Sequence, residues 1–470
     1  MHGTEAPKHR TCYNLPLDLS ADTPVLAASH TLWAAPLTGG GGPVYVAPLN
    51  KCGKVEPLTL SVVNGHKAPV ADITFSPFHD ALMATGSADG RVKAVLTFSH
   101  RNSVRCLSFH PTVRGLLLSA AQDQTLRCFD LELPINMSFD YDGRLVAVAG
   151  KDRAVRIVDA RAGRVVSCTE EGASHSLAGS RTSTTGVIGR NLRVAWCAAS
   201  ASTPLLTVSA GSSGLRQMHL WDPRSLSLPL LTKALDSASG QLLPLWDEDM
   251  RTLFLAGKGD TVVRSFELLF LEETTAASSP APSQFPFAVE KSTDFQTSSE
   301  PIAGLCLLPK RCCDVGSVEV ARLLKLTSSA MLPLSYKVPR AAHLSGFFHD
   351  DVYPPTRSRT ALATLADWTD LSADVCVFTP LLESLQPADM VALSDAPKVA
   401  APSTQRSKVD SFKLEREAAA QEASARDDQF RRLQRLAQEN AVYNVNRSGG
   451  GVGGEVKEEV DSDDNWSDDD

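Results

Sequence analysis

One unit that occurs twice, at a fixed spacing, constrains the fold of this chain more than any other feature of the sequence. His66 and His100 lie 34 residues apart, and Asp89 and Asp123 repeat the same interval. Each unit runs from the histidine through a half-buried strand, a proline and a strand of small apolar residues to a turn that contains the aspartate. A repeat of this length predicts an array of similar supersecondary units that stack on one another.

The order of elements within the unit is typical of a WD-repeat propeller blade, which is a four-stranded sheet. In such a blade an apolar residue and an acid end the third strand shortly after the aspartate turn. Trp221 and Asp222 are the one literal Trp-Asp pair among these predicted third-strand ends. Equivalent positions follow the other aspartate turns, at Val95, Phe129-Asp130, Val158-Asp159 and Phe266-Glu267. Strands predicted at 302–309 and 320–327 suggest a sixth unit after these five. Together with the region 12–64, the units predict an all-β, seven-bladed WD-repeat β-propeller.

The histidine and the aspartate of each unit are predicted to serve the architecture rather than catalysis. In such blades the histidine hydrogen-bonds a strand hydroxyl and the aspartate of a later turn. A buried polar group without a partner costs about 1–3 kcal/mol, so these groups are expected to pair. We therefore predict a blade-locking role for these residues: His66, Asp89, His100, Asp123, Asp152, Trp221 and Asp260.

The third unit looks too short for a complete blade. Asp123 and Asp152 are separated by 29 residues, whereas a blade usually needs about 40–45. The outer strand between Phe129 and Asn136 is predicted to be missing or trimmed, and a milder shortening precedes the second repeat. Two explanations stay open: the blades have three strands and an exposed edge, or the strand register differs from the one assumed.

The charge of the chain lies mainly at its carboxyl end. The chain has 470 residues and a net charge of −8, and the segment Glu455–Asp470 alone holds nine acids and one lysine. The remaining residues balance, which argues against broad nucleic-acid binding, because that needs a basic footprint. No apolar run reaches the ~20 residues that cross a bilayer, so no membrane insertion is expected.

Nothing in the sequence predicts an enzyme, a cofactor or a metal site. The ten cysteines are scattered and form no CxxC motif, which favours reduced thiols over zinc. The glycines at 39–42 and the Gly-Lys-Gly-Asp run at 257–260 lack the Walker pattern. His343, His349, Asp350 and Asp351 match no standard metal-ligand spacing.

The chain beyond the strands is predicted to divide into four further segments after a propeller at 1–329. We expect an extension packed on the propeller at 330–383, a linker at 384–407, a helix at 408–446 and a disordered acidic tail at 447–470. The helix fits a short, weak coiled coil, and a solvated or docking helix is the alternative. Its large core positions are Val409, Phe412, Phe430 and Leu433.

Several stretches resemble the coronins, which are actin-regulating WD-repeat proteins. The resemblance covers about residues 12–370 and extends to the domain order of propeller, extension, linker and coiled coil. It is most specific at these stretches: SASGQLLPLWD (237–247), LAGKGD (255–260), VEVARLLKL (318–326) and DDVYPPT (350–356).

The resemblance implies a propeller that binds the side of actin filaments and a coiled coil that makes a homo-oligomer. Coronins also engage the Arp2/3 complex (Arp two/three complex), and they open with a basic segment that contributes to filament binding. Here Lys8 and Arg10 are the candidate actin contacts. The family would place the protein in the cytoplasm, at the actin-rich cortex.

The acidic tail contains one tryptophan, which makes it resemble segments that bind the Arp2/3 complex. A large apolar anchor fills a pocket while carboxylates supply attraction to a basic surface. The alternative is a solubilising tail. The candidate Arp2/3 contacts are Asp463, Asp464, Trp466, Asp468 and Asp469. The alternative for the whole chain is a WD-repeat scaffold that binds other proteins and not actin.

Overall fold

The computed structural model describes residues 1–7, 10–20, 25–56, 60–94, 97–123, 125–126, 129–130, 134–169, 189–197, 204–210, 214–270, 287–340, 344, 347–361, 363–364 and 378–379. All of them lie in the first of two compact units, Met1–Val399 and Ala400–Asp470. Within these residues nearly all regular structure is β-strand, and helix is confined to short 3-10 turns such as Lys310–Cys312 and Val315–Ser317. None of the helices described in these ranges has the length and apolar character to cross a bilayer.

Six antiparallel four-stranded sheets follow one another along the described part of the chain, each from four strands in nearly sequential order. Sheet 1 consists of Ala27–Ala28, Leu32–Pro36, Val44–Pro48 and Val62–Val63, and sheet 2 of Val70–Ser76, His79–Ser87, Arg91–Lys93 and Thr97–Ser99. Sheet 3 consists of Val104–Phe109, Leu117–Ala121, Thr125–Leu126 and Phe129–Asp130, and sheet 4 of Pro134–Phe139, Leu145–Gly150, Val155–Asp159 and Arg164–Cys168. Sheet 5 consists of Arg190–Trp196, Leu205–Ala210, Arg216–Trp221 and Leu231–Asp236, and sheet 6 of Leu242–Asp247, Thr252–Gly257, Val262–Phe270 and Phe287–Gln296.

A larger sheet, which we call the closing sheet, joins the two ends of the propeller sequence. Its strand order is Gly304–Leu307, Glu319–Leu326, Ala330–Lys337, Cys12–Tyr13 and Gly53–Lys54, and His2–Glu5 pairs with a further part of Ala330–Lys337. The predicted boundary between propeller and extension at residue 330 therefore needs correction. Ala330–Lys337 pairs along its length with Glu319–Leu326, so these residues belong to the propeller.

The units that look short in sequence have four strands each. Phe129–Asp130, which the sequence analysis placed at the end of a third strand, is the fourth strand of sheet 3 and pairs with Thr125–Leu126. Thr97–Ser99 is the fourth strand of sheet 2. The outer strand of sheet 3 is therefore trimmed and not missing, because its third and fourth strands have two residues each. The register also differs from the one assumed, since Phe129–Asp130 is a fourth strand.

The core is divided among the spaces between successive sheets. Buried apolar side chains form clusters that each bridge two neighbouring sheets, from sheet 1 and sheet 2 round to sheet 6 and the closing sheet. A further cluster brings Trp33 of sheet 1 against Leu324 of the closing sheet, so the described clusters form an unbroken ring. The second strands of sheets 1 and 3 to 6 are almost wholly buried, as in Thr252–Gly257, because each faces a neighbouring sheet on both sides. In sheet 2 only the second half of His79–Ser87 is buried.

The residues after the closing sheet cross one end of the propeller. Tyr353 donates its hydroxyl hydrogen to the Glu319 carbonyl oxygen over 2.7 Å, and its ring stacks on Phe348 at a centroid distance of 5.5 Å. Ala363–Thr364 then pairs in parallel with Val113–Arg114, between the first two strands of sheet 3. The extension thus spans from the closing sheet to sheet 3.

Candidate functional site

His66 joins three elements of sheet 2 through both ring nitrogens. Its Nε2 lies 2.8 Å from Oγ1 of Thr85, and its Nδ1 lies 3.3 Å from the carboxylate of Asp89. Burial lowers the pKa of His66 despite the opposing effect of Asp89. Burial alone would raise the pKa of Asp89, but the backbone N–H groups of Lys67 and Arg91 and the imidazole bring that pKa below its usual value.

His100 repeats this arrangement in sheet 3. Its Nε2 lies 2.8 Å from Oγ of Ser119, and its Nδ1 lies 3.2 Å from Oδ2 of Asp123. The backbone N–H of Arg101 donates to Asp123 over 2.8 Å, as that of Lys67 does to Asp89. The structure thus brings together both histidine–aspartate pairs that the sequence analysis singled out.

The other three blade-locking candidates have different partners. Asp152 pairs with Arg156 at 2.5 Å, and Asp260 pairs with Arg216 at 2.6 Å. Trp221 donates its indole N–H to Oγ1 of Thr207 over 2.9 Å. At Asp152 and Asp260 an arginine therefore replaces histidine as the partner of the aspartate, which the repeat spacing does not reveal.

Arg216 is the centre of a buried charge network that sequence reasoning missed. Its side chain is 1% exposed, and its guanidinium donates to Asp236 at 2.5 and 2.6 Å and to Asp260 at 2.6 Å. Burial opposes the charge, but the two carboxylates raise the pKa of Arg216 overall. The one residue in the sequence that hints at this network is Gly257. Any side chain there would clash with the guanidinium, because its Cβ would lie 2.0 Å from Nη1 of Arg216.

The end of the propeller that carries the two histidines, which we call the histidine end, is rich in exposed cations. Gly90 lies in the aspartate turn of sheet 2. A Cβ added to Gly90 would lie 3.0 Å from the carbonyl oxygen of His100 and 3.1 Å from that of Asn102, so this turn packs closely against the histidine loop of sheet 3. The corresponding turn of sheet 4 and the start of the first strand of sheet 5 add to this surface. Its exposed bases are Lys67, Arg91, Arg101, Lys151, Arg153 and Arg190.

The exposed bases of the histidine end are not neutralised by nearby acids. Within the described residues, no salt bridge involves any of the six. The acids of these turns point inward instead: Asp89 and Asp123 face the histidines, and Asp152 faces Arg156. This end therefore presents a positive surface on sheets 2 to 5.

The opposite end, which we call the extension end, holds a cavity of ≈ 320 Å³ between sheet loops and the extension. Inside it, Nζ of Lys310 lies 2.5 Å from Oδ2 of Asp247 and 2.6 Å from the Val320 carbonyl oxygen. Burial raises the pKa of Asp249 to about 7, although Lys310 acts against the shift. The described residues include no group of three or more His, Cys, Asp or Glu side chains arranged to hold a metal ion.

The remaining sequence candidates are placed only in part. Arg10 is exposed and lies just before Cys12–Tyr13 of the closing sheet, whereas Lys8 lies outside the described residues. His349 is buried, and Asp351 pairs with Arg340. The coiled-coil core and the tail candidates also lie outside the described residues, namely Val409, Phe412, Phe430, Leu433, Asp463, Asp464, Trp466, Asp468 and Asp469.

Family models for WD repeats match three parts of the chain. A WD domain, G-beta repeat model matches residues 58–95 and 93–130. A model described as a type of WD40 repeat matches residues 331–370, which include most of the segment that the sequence analysis assigned to the extension. The WD40 domain of Toxoplasma gondii coronin has a similar structure, with a TM-score of 0.66 at 23% identity, over 81% of this chain and 96% of that one. The prediction of an all-β WD-repeat propeller is confirmed.

Curated relatives of the chain are coronins. It is 28% identical to human Coronin-2A over 82% of this chain and 73% of that protein. It is 31% identical to human Coronin-7 over 78% of this chain, but spans only 39% of that protein. It is 30% identical to Coronin-A of Dictyostelium discoideum over 77% of this chain and 80% of the relative. At that identity, over most of both chains, the protein belongs to the coronin family.

Proposed function

We propose that this protein binds the sides of actin filaments through the histidine end of its propeller and thereby regulates actin dynamics. The observation that carries the proposal is the set of six exposed, unneutralised bases on that end, among them Lys67, Arg91 and Arg101. In this proposal the bases meet acidic groups on the filament, because complementary charge accelerates encounter and fixes orientation. Arg10 is exposed and adds a further candidate contact.

The propeller is a non-enzymatic scaffold with seven blades in this proposal. The six four-stranded sheets of the described residues, with the closing sheet taken as a seventh blade, support this count. The ring of core clusters between successive sheets supports closure. Since both short units have four strands, the shortened blades that favoured a scaffold without actin binding no longer support that alternative.

The segments after the propeller add oligomerisation and a second binding partner in this proposal. The helix at 408–446 forms the coiled coil of a homo-oligomer, which multiplies weak filament contacts by raising their effective concentration. The acidic tail at 447–470 contacts the Arp2/3 complex through Trp466 and its neighbouring aspartates. Together they place the protein at the actin-rich cortex of the cytoplasm.

The test is co-sedimentation of the full-length protein with actin filaments at low and at near-physiological salt, beside a chain that ends at Ser407. We expect the full-length protein to pellet at both salts and more strongly at low salt, because screening weakens contacts between exposed charges. The shorter chain should pellet less, since it loses the avidity of the helix. Absence of pelleting at both salts would contradict the proposal.

A further inference from the structure

A short segment of the extension is fastened across the cavity of the extension end by two ion pairs. We call Thr356–Thr360 the strap. Nε of Arg357 lies 2.6 Å from Oε1 of Glu248, in the first turn of sheet 6. Nη2 of Arg359 lies 2.9 Å from Oδ1 of Asp80, in sheet 2. The strap therefore links two sheets that are far apart in sequence.

Both ion pairs are accessible to solvent in part, and the Arg357 end of the strap has further contacts. The Arg357 guanidinium lies over the Tyr141 ring at 4.5 Å, and its carbonyl oxygen accepts a hydrogen bond from Nη2 of Arg311 over 3.1 Å. The Arg359 end is therefore the more weakly held of the two. The side chains of Arg357 and Glu248 are 23% and 27% exposed, and those of Arg359 and Asp80 are 41% and 19% exposed. Ion pairs with this exposure contribute about 0–1 kcal/mol each. A new negative charge beside Arg359 would compete with Asp80 for its guanidinium.

Thr360 is the position where such a charge would act. It is exposed and directly follows Arg359, and Arg357 stands three residues before it. No other serine or threonine in the sequence has arginine at both of these positions. Ser358 is the less suitable acceptor, because it is half-buried and its Oγ accepts a hydrogen bond from the Thr360 N–H over 3.1 Å.

We propose that Thr360 is a phosphorylation site for a protein kinase that recognises arginine on the amino-terminal side of its acceptor, and that the phosphate draws Arg359 from Asp80 and loosens the strap. In the reaction Oγ of Thr360 bonds to the γ-phosphorus of ATP, the bond from that phosphorus to the β,γ-bridging oxygen breaks, and ADP leaves. The hydroxyl proton passes to the kinase. The product carries a charge of about −1.5 to −2 and acceptor oxygens suited to a guanidinium.

His30 offers a reporter of the strap that lies in another element. Its Nδ1 is 3.0 Å from Oδ1 of Asp80. Burial is the largest cause that lowers the pKa of His30, and the charges of Arg359 and Arg311 lower it further, whereas Asp80 opposes the shift. When Arg359 leaves Asp80 for a phosphate, the pKa of His30 should rise, because a nearby cation is withdrawn and Asp80 remains.

The experiment uses the full chain, ATP and the catalytic subunit of cAMP-dependent protein kinase, with phosphopeptides mapped by mass spectrometry. We expect one phosphate on Thr360, its loss in Thr360→Ala and its retention in Ser358→Ala. Glu248→Gln should speed the modification, since it removes the ion pair that competes with the kinase for Arg357. An unmodified Thr360 in the full chain, or uptake that Thr360→Ala leaves unchanged, would overturn the site.

The effect on the strap is measured separately by following the His30 ring in an NMR pH titration. We expect the midpoint for His30 to move to higher pH after phosphorylation, and Arg359→Gln to move it in the same direction without phosphate. Thr360→Ala treated with kinase should titrate like the untreated protein. A phosphorylated Thr360 with an unchanged His30 midpoint would contradict the exchange of Arg359 between Asp80 and the phosphate.

Discussion

Nη2 of Arg216 lies 2.6 Å from Oδ2 of Asp260, and this contact ties sheet 5 to the second turn of sheet 6. Asp236, on the fourth strand of sheet 5, holds the other side of the same guanidinium. Arg264 of sheet 6 reaches back to Asp236 at 2.5 Å. The four residues form an alternating network at the boundary of two blades.

Replacing Arg216 by alanine should destabilise the propeller strongly. The change leaves Asp236 and Asp260 without their main partner, and removing one member of a buried pair costs about 3–5 kcal/mol. Urea unfolding of both forms measures the loss. Arg224→Ala is the matched control, because Arg224 pairs with Asp222 but is 68% exposed; it should cost less than about 1 kcal/mol. Equal losses in the two variants would argue against the network.

His66→Ala should lower the free energy of unfolding by about 1–3 kcal/mol at neutral pH, because Thr85 and Asp89 lose a partner. The folded-state pKa of His66 is lowered, so its contribution is fully present above the unfolded pKa near 6.5 and is lost as the pH falls toward the folded value. The gap between wild type and variant should therefore shrink in acid. His79→Ala, at an exposed histidine, should show neither effect.

Asp249→Asn should stabilise the protein increasingly as the pH rises. Burial raises the pKa of Asp249 to about 7. The positive charge of Lys310 opposes this shift, and the negative charges of Asp247 and Glu248 reinforce it. A carboxyl group whose pKa is raised by folding stabilises the folded state fully at pH values below its unfolded pKa. This stabilisation is lost as the pH rises through its folded-state pKa. We expect little difference near pH 4 and a gain of about 2 kcal/mol at pH 8, limited by partial solvent screening. A gain independent of pH would contradict this account.

Trp466→Ala should weaken binding of the full-length protein to the Arp2/3 complex. A buried aromatic anchor is worth about 2 kcal/mol, or roughly thirtyfold in affinity. Asn465→Ala, which keeps the tryptophan and every acid, is the control and should bind as the parent does. Affinity is measured by fluorescence anisotropy or pull-down at fixed salt. Unchanged binding by the tryptophan variant would remove the tail from the proposed mechanism.

The sequence predicted the parts of the fold that local spacing encodes. The 23-residue interval from His66 to Asp89 and from His100 to Asp123 corresponds to hydrogen bonds in the structure. The interval places a loop histidine opposite the turn between two adjacent strands. Because the same interval occurs twice, the sequence alone is enough to detect it. The family resemblance added actin as a partner, which no residue pattern alone supplies.

The parts that were missed depend on contacts between distant segments. Ala330 pairs with Tyr13 in the closing sheet, and no spacing rule joins residues so far apart. Arg216 finds its two acids in different sheets, so no periodic pattern marks it. The positive surface of the histidine end is also invisible in sequence, because its bases come from separate loops and the chain without its tail is neutral.

The most direct test of the central claim is actin-filament co-sedimentation of a charge-reversed protein, with Lys67, Arg91 and Arg101 all replaced by glutamate. The matched control reverses Arg114, Arg164 and Arg251, which are exposed bases at the extension end. Both variants have the same net charge, so only the location of the change differs. Thermal unfolding checks that each stays folded. If the histidine end binds filaments, the first variant remains in the supernatant while the control pellets like the parent; equal pelleting of the two variants would contradict the claim.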